Sequence, residues 1–231
     1  MYTYRNKIII LLVALFFVMI GAIYFNPDNF SITINEESKL PNDIRWVTKS
    51  SEYKMLCEQV FSEASTYTSK KIRSNKKQAV IMDLDETVLD NSMYQVENFN
   101  QGLSFNMDSW AKWVNREEAG LVPGAKKYIN LLRTLDIQIV FISNRMNDRV
   151  DATKENLKKL GIFSDKDIYL LRLNKEDKKH IRRNEVFKGT NRMKPFGSFE
   201  VIAFIGDAKG DFPSKHKGRN FILPNPMYGK W

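Results

Sequence analysis

One cysteine and two histidines serve the whole of this 231-residue chain. With Cys57 alone, no disulfide can form within it. With only His180 and His216 beside that cysteine, a zinc site of the usual cysteine and histidine ligands finds too few donors, and so does chemistry that needs several catalytic histidines. Acidic residues are in deficit, 27 against 36 Lys and Arg, for a net charge of +9. That balance suits anionic partners such as phosphates, although a solvated lysine-rich surface accounts for most of it. No aromatic-and-basic recognition pattern accompanies the charge, so nucleic acid is not expected as a partner. Charge is missing altogether from Ile8 to Phe25, close to the roughly 20 apolar residues that span a bilayer. Arg5 and Lys7 precede this run, while Asp28, Glu36 and Glu37 follow it before Lys39. The positive-inside rule then leaves the N-terminus in the cytoplasm and the rest outside. A cleaved signal peptide is the rival reading, but no A-x-A site follows the run, which favours an uncleaved anchor over residues 1–27.

Residues 28–42 read as a linker, and 43–231 as one globular domain. Trp46, Tyr53, Leu56, Val60, Ala64 and Tyr67 recur at helical spacing and predict one long amphipathic helix ending near Ser74. Cys57 lies beside that stripe and is expected to be buried and inert. Five short apolar runs follow: Ala79 to Met82, Ile137 to Ile142, Ile168 to Leu171, Val201 to Ile205 and Phe221 to Leu223. Continuous apolar runs of this length, separated by helical patterns, predict an α/β domain with a doubly wound parallel sheet of Rossmann type. Gln95 to Leu121 shows no strand pattern, and Ser109 is expected to cap a helix carrying Trp110, Trp113 and Val114. A small helical cap over about 92–122 is the reading. Pro123 and Gly124 open a helix to about Leu135, and Leu157 and Leu160 face inward on another that Gly161 stops.

Chemistry gathers where the apolar runs end. Ala79 to Met82 is followed by Asp83 and Asp85. Two carboxylates leaving a buried strand are costly unless their charge is compensated, and a hard cation such as Mg²⁺ does this with oxygen ligands. On a continuing strand the two would crowd one face; a turn at Leu84 would let them take different roles. In isolation a D-x-D pair is more often a surface turn. Ile137 to Ile142 runs into Ser143-Asn144-Arg145, where a hydroxyl can either bond a phosphate or simply cap a helix. Val201 to Ile205 runs into Gly206-Asp207, with Asp211 four residues later. The charged run Lys175 to Arg183 reads mainly as a solvated helix face.

Asp83-Leu84-Asp85-Glu86-Thr87-Val88-Leu89, with Asn91 and Tyr94, resembles the first motif of the haloacid dehalogenase (HAD) superfamily and, within it, the class C bacterial acid phosphatases, a group that includes outer-membrane lipoprotein acid phosphatases and 5'-nucleotidases. FISNR, the Lys-x-x-Arg of the 175–183 run, Gly206-Asp207 with Asp211, and the terminal LPNPMYGKW extend the resemblance from about Tyr53 to the end. The resemblance implies a Mg²⁺-dependent phosphomonoester hydrolase working through an aspartyl-phosphate. Asp83 would be the nucleophile and Asp85 the acid and base. Ser143, Asn144 and Lys179 would hold the phosphoryl group, with Lys178 the rival lysine. The metal would take Asp83, the carbonyl of Asp85, Asp207 and, through water, Asp211. Tyr228 would wall a nucleotide-base site or, on the other reading, anchor the tail. Two departures stand out: Ala208 and Lys209 follow Asp207 where the class has Asn and an apolar residue, and no cysteine lies near the end of the apolar run for a lipid. The partners implied are a small phosphomonoester and, through the N-terminal helix, a membrane outside the bacterial cytoplasm; a homodimer is left open. The alternative function is a non-catalytic surface binding protein that keeps the HAD fold.

Overall fold

The computed structural model describes residues 40–73 and 75–229. The chain divides into two units at Lys39/Leu40, and the fold below is that of the second. The expected anchor and most of the expected linker fall outside the described residues. Among the described residues no helix is long and apolar enough to cross a membrane.

The strands are β1 (Gln78–Met82), β2 (Leu89–Asp90), β3 (Gly120–Leu121), β4 (Gln138–Met146), β5 (Ile168–Arg172), β6 (Glu200–Gly206) and β7 (Arg219–Ile222). The helices are α1 (Asn42–Lys49), α2 (Ser51–Lys71), α3 (Ser92–Asn100), α4 (Met107–Arg116), α5 (Ala125–Thr134), α6 (Val150–Lys159) and α7 (Lys179–Lys188). Five strands form one parallel sheet in the order β5-β4-β1-β6-β7.

The apolar runs are continuous because both sheet faces are covered. Val80 and Met82 of β1 face a core shared with Cys57, Phe61 and Ala64 of α2, Ile129 and Leu132 of α5, and Leu157 of α6. Ala79 and Ile81 face the opposite core, closed by Val186 of α7 with Met193 and Phe199. The sheet is therefore doubly wound, as the sequence pattern predicts. From β1 the chain moves to β4 and β5 on one side, then crosses to β6 and β7 on the other. Winding reverses beside β1, and in such sheets that switch point, at the carboxyl ends of the strands, is where ligands bind.

Several local expectations need correction. The single helix predicted from Trp46 is two, because Ser50 takes an extended conformation and its hydroxyl accepts the Tyr53 N–H, capping α2. Ser109 does not cap α4; Asn106 does, its side-chain Oδ1 accepting from the N–H groups of Asp108 and Ser109, while the Ser109 hydroxyl pairs with that of Tyr94. The stretch read as strandless contains β3, which pairs antiparallel with β2 and ties the cap to the end of the first motif. β4 runs on past Ser143 to Met146, with its register to β5 shifting between the two, so Ser143 sits within a strand and caps no helix. The 175–183 run is not simply a solvated face, since Asp177, Arg182 and Arg183 are buried. Cys57 is fully buried as expected, and burial pushes its thiol up to about 11.

Candidate active site

β1 ends at Met82, and the Asp83 N–H still bonds to the Ile205 carbonyl at the end of β6. The chain then turns. Thr87, Val88 and Leu89 all donate to the Leu84 carbonyl, and Glu86 takes the left-handed region at φ 54°. A glutamate there is strained, a cost of about 1–3 kcal/mol that the surroundings must overcome. Two bonds hold it: its N–H donates to Leu89 O, and its carboxylate accepts the Asn91 N–H at 2.9 Å. The turn sends Asp83 and Asp85 into different surroundings.

Asp83 enters a cluster with Asp207, at the end of β6, and Asp211; oxygens of the three lie within 4.8 Å of one another. Lys179, the first residue of α7, places its ammonium 2.7 Å from Asp83 Oδ1 and donates to Asp211 Oδ1. Lys178 is exposed at the helix cap. Asp211 also accepts the Ala208 N–H through Oδ2, and its side chain lies so close to Gly206 that a Cβ there would meet it at 2.4 Å. The glycine before Asp207 is thus a packing requirement.

The cluster is under-compensated. Burial pushes the Asp83 carboxyl well above the ordinary range; Lys179 pulls it back, and Asp211 and Asp207 push it up again. Asp207 is pushed up to about 6, by burial and then by Asp211. Burial pulls the Lys179 ammonium down, but Asp83 and Asp211 outweigh it and keep the proton on. Although Lys179 is near, its direction is poor, and Asp83 Oδ1 is buried without a hydrogen-bond partner. Three carboxylates, an orphaned oxygen and an all-oxygen donor set fit a hard divalent cation.

Asp85 lies in a second, paired environment. Its Oδ1 accepts from Arg145 Nε at 2.8 Å and Asn91 Nδ2 at 3.1 Å, and Oδ2 accepts from the Ser143 hydroxyl at 3.3 Å. Ser143 Oγ in turn accepts the Arg145 N–H. Arg182, one turn after Lys179 on α7, is fully buried; it donates to the Ser143 carbonyl, to Leu170 O at 3.0 Å and to Asn144 Oδ1 at 2.8 Å. Burial lowers its guanidinium to about 10.

The match to known proteins now has a site behind it. Residues 28–231 match the family model for the HAD superfamily, subfamily IIIB (Acid phosphatase). The chain belongs to that subfamily. It is similar to the class C acid phosphatase from Bacillus anthracis solved with tungstate bound, at a TM-score of 0.70 and 27% identity over 81% of this chain and 84% of that one. Among curated sequences it is 32% identical to a stem 31 kDa glycoprotein of Glycine max over 64% of this chain, and 29% identical to vegetative storage protein 1 of Arabidopsis thaliana over 79%. The matched region spans 58% of the soybean protein's length.

In this HAD acid phosphatase fold, the residues expected from sequence divide clearly. Asp83, Asp207, Asp211 and Lys179 meet directly, and Ser143 reaches Asp85 rather than the acidic cluster. Asp211, expected to act through water, has its carboxylate within the cluster. The Asp85 carboxylate stands apart from it. Asn144 is exposed, its carbonyl oxygen held by Arg182. Tyr228 is 41% exposed as a residue, but its hydroxyl donates to the buried carboxylate of Glu86. Sequence reasoning gave no role to Arg145, Arg182 or Asn225, the last of which donates its amide to Asp207 Oδ2 at 2.8 Å. Each lies inside a motif already singled out, and burial, which decided their roles, is not visible in an arginine or asparagine read alone.

Proposed function

We propose that this HAD acid phosphatase hydrolyses small phosphomonoesters with Mg²⁺, through an aspartyl-phosphate on Asp83. The observation that carries this reading is the buried Oδ1 of Asp83, ion-paired with Lys179 but without a hydrogen bond, at the carboxyl end of β1. That oxygen attacks phosphorus as the leaving oxygen departs, splitting one hard step into two. Lys179 meets charge on the phosphoryl oxygens, and the Ser143 hydroxyl turns to donate to another. Asp85 protonates the leaving oxygen and later takes a proton from the water that frees Asp83. Asp83, Asp207 and Asp211 would hold the cation, with the Asp85 carbonyl as a further donor, and the bound cation would offset repulsion between Asp83 and the phosphoryl group. The bound tungstate of the Bacillus anthracis relative, a tetrahedral oxyanion like phosphate, supports the phosphoryl assignment.

The finer reading is a nucleoside monophosphate substrate, its base against the exposed ring of Tyr228, where stacking contributes about 1–3 kcal/mol. Anchoring through Glu86 is the competing role. Tyr228→Phe keeps the ring and loses the anchor, whereas Tyr228→Ala loses both. A base wall requires Tyr228→Ala to lower kcat/KM on a nucleoside monophosphate roughly tenfold and to spare glycerol phosphate, with Tyr228→Phe close to native. Equal losses on both substrates would end the nucleotide assignment.

The deciding experiment is turnover of a phosphomonoester panel with and without Mg²⁺, on native protein and Asp83→Asn. The reading requires activity that EDTA and Asp83→Asn each remove. The storage-protein name of the Arabidopsis relative favours a second reading, a binding protein that keeps the fold; a folded native protein inert on every ester with Mg²⁺ would establish it. The proposed topology, residues 8–25 as anchor and the domain outside the cytoplasm, predicts that protease added to intact cells with a permeable outer layer degrades the domain while a cytoplasmic marker survives.

A further inference from the structure

Arg145 has a fully buried side chain, yet it is surrounded by polar partners rather than by solvent. Its Nε and Nη2 both lie 2.8 Å from Asp85 Oδ1. Nη1 donates to Thr153 Oγ1 of α6 at 3.2 Å, and Nη2 to Asn91 Oδ1 at 3.3 Å. Asn91 Oδ1 also accepts from Trp113 Nε1 of α4 at 2.8 Å, and Trp110 lies over the guanidinium at 5.8 Å. From the end of β4, Arg145 thus ties the Asp85 turn to α6 through Thr153 and to the cap through Asn91 and Trp113.

The donors are unevenly shared. Arg145 and Asn91 converge on Oδ1, and Oδ2 receives only the 3.3 Å Ser143 hydroxyl. That hydroxyl has one proton, so once it donates to a phosphoryl oxygen it no longer donates to Oδ2. We infer that Arg145 is a positioning residue for proton transfer: it locks Oδ1 of Asp85 and leaves Oδ2 as the oxygen that carries the catalytic proton. This rests on the reading of Asp85 as general acid given above. In the step, the P–O bond to the leaving group breaks and its electron pair stays on the leaving oxygen, which takes the proton from Oδ2. The carboxylate left behind is met by the guanidinium already on Oδ1.

Proton donation matters most for a poor leaving group, so the test compares kcat/KM for p-nitrophenyl phosphate with that for ethyl phosphate. This parameter reports only steps up to P–O cleavage, and the ratio of the two is independent of the fraction of enzyme folded. A positioned general acid contributes about 10²–10⁴-fold, so losing its aim in Arg145→Gln should raise the aryl-to-alkyl ratio about tenfold. Arg145→Lys, which keeps charge without the fork, should raise it less. Asp85→Asn should raise it most. If Asp85→Asn leaves the ratio unchanged, the general-acid reading itself fails. If Asp85→Asn raises it but Arg145→Gln and Arg145→Lys do not, Arg145 only fills space and the inference is overturned. Should neither Arg145 variant fold, Thr153→Val loosens the guanidinium without touching Asp85. A smaller rise there supports the inference, and none overturns it.

Discussion

Asp83 and Asp85 are separated by one residue and sit in opposite electrostatic surroundings. Around Asp83, three carboxylates face one ammonium, and the oxygen nearest it has no hydrogen-bond partner. Around Asp85, an arginine, an amide and a hydroxyl meet one carboxylate. On the proposed mechanism the first half is arranged for charges that arrive, a cation and a phosphoryl group. The second is organised before anything binds. Sequence spacing alone does not separate them; the left-handed turn at Glu86 does.

The largest effect that would test this contrast is at Asp83. Asp83→Asn removes the proposed nucleophile and should cost at least about 10⁴-fold in kcat, as loss of a nucleophile does elsewhere. It also removes one charge from a repelling cluster, so the same variant should melt higher than native protein in EDTA. Asp85→Asn should melt lower, because Arg145 loses its counter-charge while buried. Melting shifts of the same sign in both variants would dissolve the comparison. Next is Lys179→Met, expected to lower kcat/KM by about 10²–10³-fold, the usual loss for one charge-stabilising donor; full activity would return the role to Lys178.

A smaller effect should come from Asn225, which holds the oxygen of Asp207 from the tail. Outer partners of metal ligands typically contribute 10–100-fold in affinity, so Asn225→Ala should weaken Mg²⁺ binding by about that factor in a calorimetric titration. Unchanged affinity would make the contact a tail anchor. Smallest is a pH effect on the metal-free fold. Asp207 is raised to about 6 in the folded state, against about 4 unfolded. The folded chain therefore binds the proton more tightly, and this group's contribution to stability is lost as pH rises from about 4 through 6. Asp83 and Glu86 are shifted in the same direction by burial. In EDTA, melting temperature should fall across that window, less steeply in Asp207→Asn; identical slopes would mean Asp207 does not carry the effect.

Much of the site was legible because its residues stand where apolar runs stop. Asp83 and Asp207 follow β1 and β6 directly, and a carboxylate at the end of a buried strand is conspicuous against the run before it. Lys179 was harder, since its neighbours in the charged run are chemically alike; the Lys-x-x-Arg spacing favoured it over Lys178, and its contacts to Asp83 and Asp211 separate the two. Ser143 was found for its hydroxyl, but its present partner is Asp85, which no pattern within FISNR indicates.

From the sequence alone come the doubly wound sheet, its five strands and the acidic residues at their ends, because burial on both faces demands uninterrupted apolar runs and charge interrupts them visibly. Tertiary structure alone decided which charges are paired. Arg145 and Arg182 enter the sequence reading only as members of FISNR and of Lys-x-x-Arg, with no role, yet both side chains are fully buried. The reason is physical: an arginine enters a protein interior only where acceptors from distant segments converge. Asp85, Asn91 and Thr153 for one, and Ser143, Asn144 and Leu170 for the other, are brought together only by the fold.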